Sequence, residues 1–392
     1  MFEAPTDIST AQAGRFKRSK SVFVWMAIGL IMVPCLYWAN LISIQTVNRL
    51  GYYATYAILA LSLDLIWGYA GILGLCQATF FCIGGYAMGM YLAHHGGPEG
   101  TIDPNNWKIP ACLYVVYPGK VGQLPSEWLV PWFWKPFWTL PVTIILGLVL
   151  PAVVAFVIGY AGFKSRVRGV YFAILAQAIA VAAFNFFSMN NMKLCGTNGL
   201  TRFERIAGDF RLDSPNVTLS LYVITVAGLF AAYALCGAVT RSRFGRVLVA
   251  IRDDENTLRF SGYTPYTYKL FAFCLAAAIA GFAGMLYVPQ MGIITPFDMD
   301  AGKSILVVIW VAVGGRGSLS GAILGALAIN LLENFLTSQH DFIFFTWQPD
   351  YWQFVLGGLF VIVVLVLPDG LISLWRRLCC RIFRSPNQRG ER

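Results

Sequence analysis

The chain has 392 residues, of which 57% are hydrophobic and only 12% charged, with a formal net charge of +10 and a mean hydropathy of +0.63. A soluble domain carries roughly twice that charge fraction, so the apolar residues belong to a membrane-embedded protein. The positive balance does not identify a nucleic-acid binder, because no soluble basic domain is present to carry it.

Ten apolar segments follow in order: 21–39, 49–67, 72–93, 137–161, 170–188, 219–239, 270–289, 304–313, 321–336 and 351–367. Most have the roughly 20 residues that a bilayer-spanning helix needs. The eighth is too short to span alone and the ninth is marginal. Gly314-Gly315-Arg316-Gly317 separates them, giving either two short tilted spans or a broken, re-entrant pair. The expected fold is all-α and polytopic, with about ten transmembrane segments. Apolar blocks run the length of the chain, so a single cleaved signal peptide does not explain them.

Lys and Arg counts set the orientation. With the N-terminus inside, the inside segments hold nineteen cations and the outside segments nine, Arg316 set aside. This predicts a cytoplasmic tail (1–20), a transmembrane permease domain (21–368), periplasmic loops at 94–136 and 189–218, a cytoplasmic loop at 240–269, and a basic cytoplasmic tail (369–392). Both termini lie in the cytoplasm, and the basic charge also favours anionic lipid. Under this map Lys303 and the histidines His94, His95 and His340 fall outside the spans.

Loop 94–136 is rich in Pro and carries Trp107, Trp128, Trp132 and Trp134. It reads as an irregular outer cap, either packed over helix ends or meeting a soluble partner. The cysteines lack metal spacing. Cys112 and Cys195 both fall in outer loops, where they either pair or stay as two thiols.

Within 240–269, Phe244, Leu248, Ile251 and Leu258 recur at helical spacing. The pattern predicts one amphipathic helix over 246–261, with Asp253, Asp254 and Glu255 on its exposed part and Gly262 and Pro265 ending it. Such a helix either docks into a partner's groove or lies on lipid. The docking reading assigns coupling to Arg246, Ile251, Arg252, Asp253, Asp254 and Glu255.

Phe244-Gly245-Arg246, Ala250-Ile251-Arg252-Asp253, Gly262-Tyr263, Ala280-Gly281 and Ala283-Gly284 resemble the branched-chain amino acid and urea permease family of ABC importers. Tyr287-Val288-Pro289-Gln290 and Ile309-Trp310 through Gly314-Gly315-Arg316-Gly317 resemble its urea branch. Leu63 to Tyr69 and Gly84 to Gly89 agree. The resemblance covers roughly 50–93 and 160–370. It implies an inner-membrane permease for urea or a short amide that carries no ATPase site of its own. Its implied partners are a second permease, two ATP-binding subunits and a periplasmic binding protein. A branched-chain amino acid importer is the alternative reading, and a self-contained secondary transporter a remoter one. No catalytic residue, metal or cofactor is expected.

Few charges fall within the spans, which favours a neutral substrate. Gln77, Phe80, Gln177, Asn185 and Trp310 are the candidate lining of its path, with interhelical hydrogen bonds as the alternative role of the amides. Gly314, Gly315, Arg316 and Gly317 form the candidate broken-helix hinge, where Ser318 or Ser320 caps the next half-helix and its positive end attracts a carbonyl oxygen.

Overall fold

The computed structural model describes residues 28–95, 130–165, 167, 169–201, 203, 205–206, 210–337, 341–342, 345–346, 354–355, 357–358, 361, 365 and 370. Both predicted tails, apart from Gly370, most of the 94–136 loop, Cys112 and His340 lie outside them. The helices are α1 (Ile28–Trp38), α2 (Ile44–Asp64) continued by a π-helical turn (Leu65–Tyr69), α3 (Gln77–His95), α4 (Leu140–Lys164), α5 (Val170–Ser188) and α6 (Pro215–Arg241). They continue with α7 (Arg243–Asp253), α8 (Glu255–Phe260), α9 (Pro265–Met291), α10 (Ala301–Gly314) and α11 (Leu319–Thr337). Strands are two residues long; β1 (Leu200–Thr201) pairs antiparallel with β4 (Ile293–Ile294), and β2 (Arg205–Ile206) with β3 (Phe210–Arg211).

Among the described residues, six helices are long and apolar enough to cross a membrane: α2 with its π turn, α4, α5, α6, α9 and α11. The architecture is therefore mostly helical with six candidate spans, fewer than the ten segments that hydropathy alone suggests. The described residues of segment 351–367 are helical.

The bundle is organised by burial. In α2, 78% of the apolar window is buried, against 22% in α5 and 33% in α4, so α2 is core and α5 is periphery. Around α2 and α9 pack α3, α4, α6, α10 and α11. Small residues set the closest crossings, as expected where helix association depends on backbone approach. A Cβ on Gly284 would stand 1.8 Å from the Phe81 carbonyl oxygen, and one on Gly84 would stand 2.1 Å from that of Gly281. The α10–α11 hairpin closes in the same way, with Gly325 against the Trp310 carbonyl and Gly314 against Gly321. The Gly321/Gly325 face is thus internal packing.

At 14 residues, α10 measures about 21 Å, some two-thirds of a hydrocarbon core. The remainder is filled by folded chain. Ile294 of β4 lies against Gly85 and Gly89 of α3. Cys82 donates its thiol hydrogen to the Thr295 carbonyl at 3.5 Å, and Thr295 and Asp298 form a capping box. Non-helical backbone at such depth is tolerated where it is buried in protein.

The 246–261 segment is two helices. At Asp254 the backbone is extended (φ −154°, ψ 103°), and the Asp254 side chain caps α8. Periodicity does not register a break that keeps the apolar stripe on one side. Leu248 and Ile251 are buried, and Phe244 stacks on Tyr268 at 5.5 Å.

The two outer histidines are part of the bundle. His94 is fully buried at the end of α3, with Nε2 3.2 Å from the Trp134 carbonyl. Trp134 donates to the Lys193 carbonyl at 3.2 Å, so this tryptophan packs over helix ends. Cys195 is disulfide-bonded. Cys35, Cys76, Cys82, Cys236 and Cys274 are free.

Candidate functional site: an arginine junction and a charged aromatic cluster

The last carbonyls of any helix lack intrahelical donors and carry partial negative charge. At the end of α2, two arginines from distant segments fill them. Arg252 Nη1 donates to the Gly68 carbonyl at 2.7 Å. Arg316 Nε donates to the Trp67 carbonyl at 3.1 Å, and its guanidinium lies 5.0 Å from the centre of the Trp67 ring. One turn earlier, the fully buried Asp64 accepts from the Gly317 backbone N–H at 2.7 Å. Gly68 has no room for a side chain, since a Cβ would meet Asp64 Oδ1 at 2.3 Å and Gly317 N at 2.7 Å. One turn of α2 therefore holds both the α7 segment and the α10–α11 turn. The N–H of Gly317, two residues before α11, is already engaged by Asp64. Ser318 and Ser320 pair their hydroxyls at 3.2 Å.

The acidic run after α7 is used within the chain. Asp253 pairs with Arg252 at 3.1 Å. The Thr257 hydroxyl and the backbone N–H groups of Thr257 and Asn256 hold the Asp254 carboxyl below the usual carboxylate range. Glu255 bridges Arg259 at 2.7 Å and Lys269 at 2.8 Å. Arg246 is exposed and Ile251 buried, so among the six coupling candidates Arg252 is the one bonded to α2.

A second cluster lies where the polar segment 292–300 enters the bundle. Lys303 donates to Asp298 at 2.6 Å and to the Tyr56 hydroxyl at 3.3 Å. Its ammonium lies 5.2 Å from the Tyr56 ring centre and 5.5 Å from that of Tyr287, within cation–π range. The Tyr56 and Tyr287 hydroxyls are 3.3 Å apart. Trp310 and Phe81 close around Tyr56, with ring centres at 5.1 and 6.2 Å. Lys303 contacts Tyr56, mid-way along α2, and follows a segment that hydropathy assigns to a loop. A bonded pair of opposite charges thus sits inside the helix bundle.

The path candidates separate by location. Gln77 donates to the Ser62 hydroxyl at 2.7 Å and to the Ala276 carbonyl at 3.1 Å, which ties α3 to α2 and α9. Phe80 packs edge-on against Phe273 at 5.4 Å. Trp310 is fully buried, and its Nε1 has no hydrogen-bond partner. Gln177 and Asn185 lie on peripheral α5. Gln177 is half-buried with Oε1 unpartnered, and Asn185 is exposed and bonds the Val181 carbonyl one turn back. Sequence reasoning missed Tyr56, Tyr287, Asp298 and Lys303. The available signal was Asp298 and Lys303, five residues apart beside a short apolar segment.

The family described as branched-chain amino acid transport system / permease component matches residues 45–364. The chain belongs to this family. The permease is 26% identical over 369 residues to the high-affinity branched-chain amino acid transport system permease protein LivM of Escherichia coli, covering 88% of the permease and 74% of that relative. It is 23% identical to a probable branched-chain amino acid transport permease protein LivM of Methanocaldococcus jannaschii, covering 82% and 91%. The ribose import permease protein RbsC of Escherichia coli is 24% identical over 58% of the permease and 68% of its own length. No solved structure matches the permease.

Proposed function

We propose that this permease carries branched-chain amino acids inward across a bacterial inner membrane as one membrane component of an ABC importer. ATP hydrolysis takes place on two partner subunits, a second permease completes the path, and a periplasmic protein delivers substrate. The observation that carries the reading is the Lys303–Asp298 pair among Tyr56, Tyr287, Phe81 and Trp310. An α-amino acid with an apolar side chain has an ammonium, a carboxylate and a hydrocarbon part. The cluster offers a counter-charge for each and an aromatic wall. The names of the relatives above support the same class.

In this reading the path runs beside Trp310, along α2, α9 and α10. Gln77 and Phe80 brace the helices behind it. Gln177 and Asn185 serve a stretch next to α5. Movement of the ATP-binding subunits reaches the path through α7, Arg252 and the end of α2. Both termini are cytoplasmic, following the cation count.

Urea was the finer reading of segments 287–290 and 309–317. A neutral amide needs only hydrogen bonds and leaves the ion pair without a role. The decisive measurement is uptake into proteoliposomes holding the whole transporter, with leucine, isoleucine, valine, leucinamide, isovalerate and urea offered in parallel. Transport of the three zwitterions, with poor transport of the two single-charge analogues, is expected. Urea uptake without leucine uptake would overturn the proposal, and uptake driven by an ion gradient without ATP would overturn the ABC assignment.

A further inference from the structure

Buried donors find acceptors in folded proteins with few exceptions, and each exception points to something that completes it. Trp310 is such an exception. Its side chain is fully buried, and its Nε1–H has no acceptor. Among the described residues, the buried hydroxyls of Thr79, Tyr86 and Ser304 also lack partners, but a hydroxyl can turn and can accept as well as donate. An indole N–H can only donate, from a ring that moves as a whole. This ring is held on two sides. The Tyr56 ring lies 5.1 Å away, and α11 sits directly on this turn of α10, where a Cβ on Gly325 would stand 2.0 Å from the Trp310 carbonyl.

Lys303 and Trp310 lie seven residues apart in α10, so they share one face of the helix, about 10 Å apart along its axis. Tyr56 joins them. Its hydroxyl accepts from Lys303 at 3.3 Å while its ring packs on the indole. Lys303 is engaged by Asp298, whereas the indole N–H is engaged by nothing. We propose that Trp310 Nε1–H receives the carboxylate of the amino acid in transit, taking it over from Lys303. The ligand rests on the functional reading above. A donor-only group holds a carboxylate oxygen and offers nothing to an ammonium, so Trp310 fixes which end of the zwitterion sits on α10. The ammonium then falls to the Tyr56 and Tyr287 ring faces, which already take a cation, Lys303, at 5.2 and 5.5 Å. The indole is positioned by packing before substrate arrives, so the hydrogen bond forms with little ordering cost.

The test uses the whole transporter in proteoliposomes with leucine-loaded binding protein at saturation. Trp310→Phe keeps an aromatic ring and removes the N–H. A second variant carries benzothienylalanine in place of Trp310, which has the shape of tryptophan with sulfur where the N–H stands, and it serves alone should Trp310→Phe fail to assemble. Both should lower kcat for leucine about tenfold, the low end for a hydrogen bond to a charged group, and leave KM, which delivery sets, unchanged. In the resting protein the N–H bonds nothing, so without substrate the benzothienyl variant should unfold at the parent's midpoint or above it. A lowered midpoint without substrate would overturn the proposal, because it would reveal an acceptor inside the resting protein, such as a buried water. Absent leucine uptake by the parent would sink the transport reading. Leucine uptake by the parent that the benzothienyl variant matches would sink the donor role of Trp310 alone.

Discussion

The Lys303–Asp298 pair can be weighed by a double-mutant cycle of Lys303→Met and Asp298→Asn. Their side chains are only 19% and 12% exposed, so removing one partner strands a charge in a poorly solvated place. The range for a buried pair is about 3–5 kcal/mol. Lys303→Met should cost about 3 kcal/mol, the lower end, because Asp298 keeps the Thr295 N–H at 3.0 Å and hydroxyl at 3.4 Å. Asp298→Asn should cost less, about 2 kcal/mol, because Lys303 keeps the Tyr56 hydroxyl and two aromatic faces. The double variant strands no charge and should cost about as much as Lys303→Met alone. The coupling energy is then about 2 kcal/mol. Unfolding midpoints of the purified permease in one detergent, with and without each change, read it directly. Strict additivity would show that the two groups do not share an environment. In reconstituted transporter, the single variants should lose leucine uptake by about tenfold or more, since 1.4 kcal/mol corresponds to one decade. Parent-like uptake in both would remove the pair from the path.

Four further outcomes are expected. Arg252→Ala leaves the Gly68 carbonyl without its charged donor, a loss of about 1.5–3 kcal/mol, and should raise ATP hydrolysed per leucine imported; an unchanged ratio would separate α7 from coupling. Gly284→Val should cost about 3 kcal/mol or more through its clash with the Phe81 carbonyl and cut folded yield, whereas Gly237→Ala, with nothing within 4 Å, should be neutral or stabilising. Peptide mapping without reductant should join Cys195 to Cys112 and so place both in an oxidising compartment; a link to Cys379 or Cys380 would break the topology. The Asp254 carboxyl titrates lower folded than unfolded, so its capping contribution is full above the ordinary carboxylate range and is lost as pH falls through the depressed value. α7–α8 protection in hydrogen exchange should therefore stay flat from neutral pH down to about 5, and loss of protection between pH 7 and 6 would contradict that.

The sequence was most legible where one segment decides its own fate. α5 occupies 170–188 as hydropathy predicts, and α10 and α11 extend segments 304–313 and 321–336 by only a few residues at each end. The glycines after Ala280 and Ala283 mark the crossing of α9 with α3. Long-range pairings were beyond reach. Gly317 meets Asp64 across 253 positions, and no local pattern announces it. The surroundings of Lys303 were illegible for a physical reason: a charge next to a short apolar helix normally marks the membrane edge, and hydropathy cannot show that the preceding polar chain folds Asp298 and Lys303 against Tyr56. Periodicity also cannot show that each carboxylate of the acidic run 253–255 has a donor nearby within the chain.

The carbonyls of Trp67 and Gly68 belong to adjacent peptides, and each is held by an arginine from a different segment of the chain. A hydrogen bond weakens steeply once its geometry is lost, and a bond from a charged donor contributes about 1.5–3 kcal/mol. A halfway position of α7 or of the 314–317 turn therefore carries a penalty that neither end state bears. Packed elements of this kind switch between discrete arrangements and do not bend continuously. Under the proposed function the end of α2 would be a click-stop: force on the α7 segment accumulates without displacement until an arginine lets go, and the stroke then completes in one step.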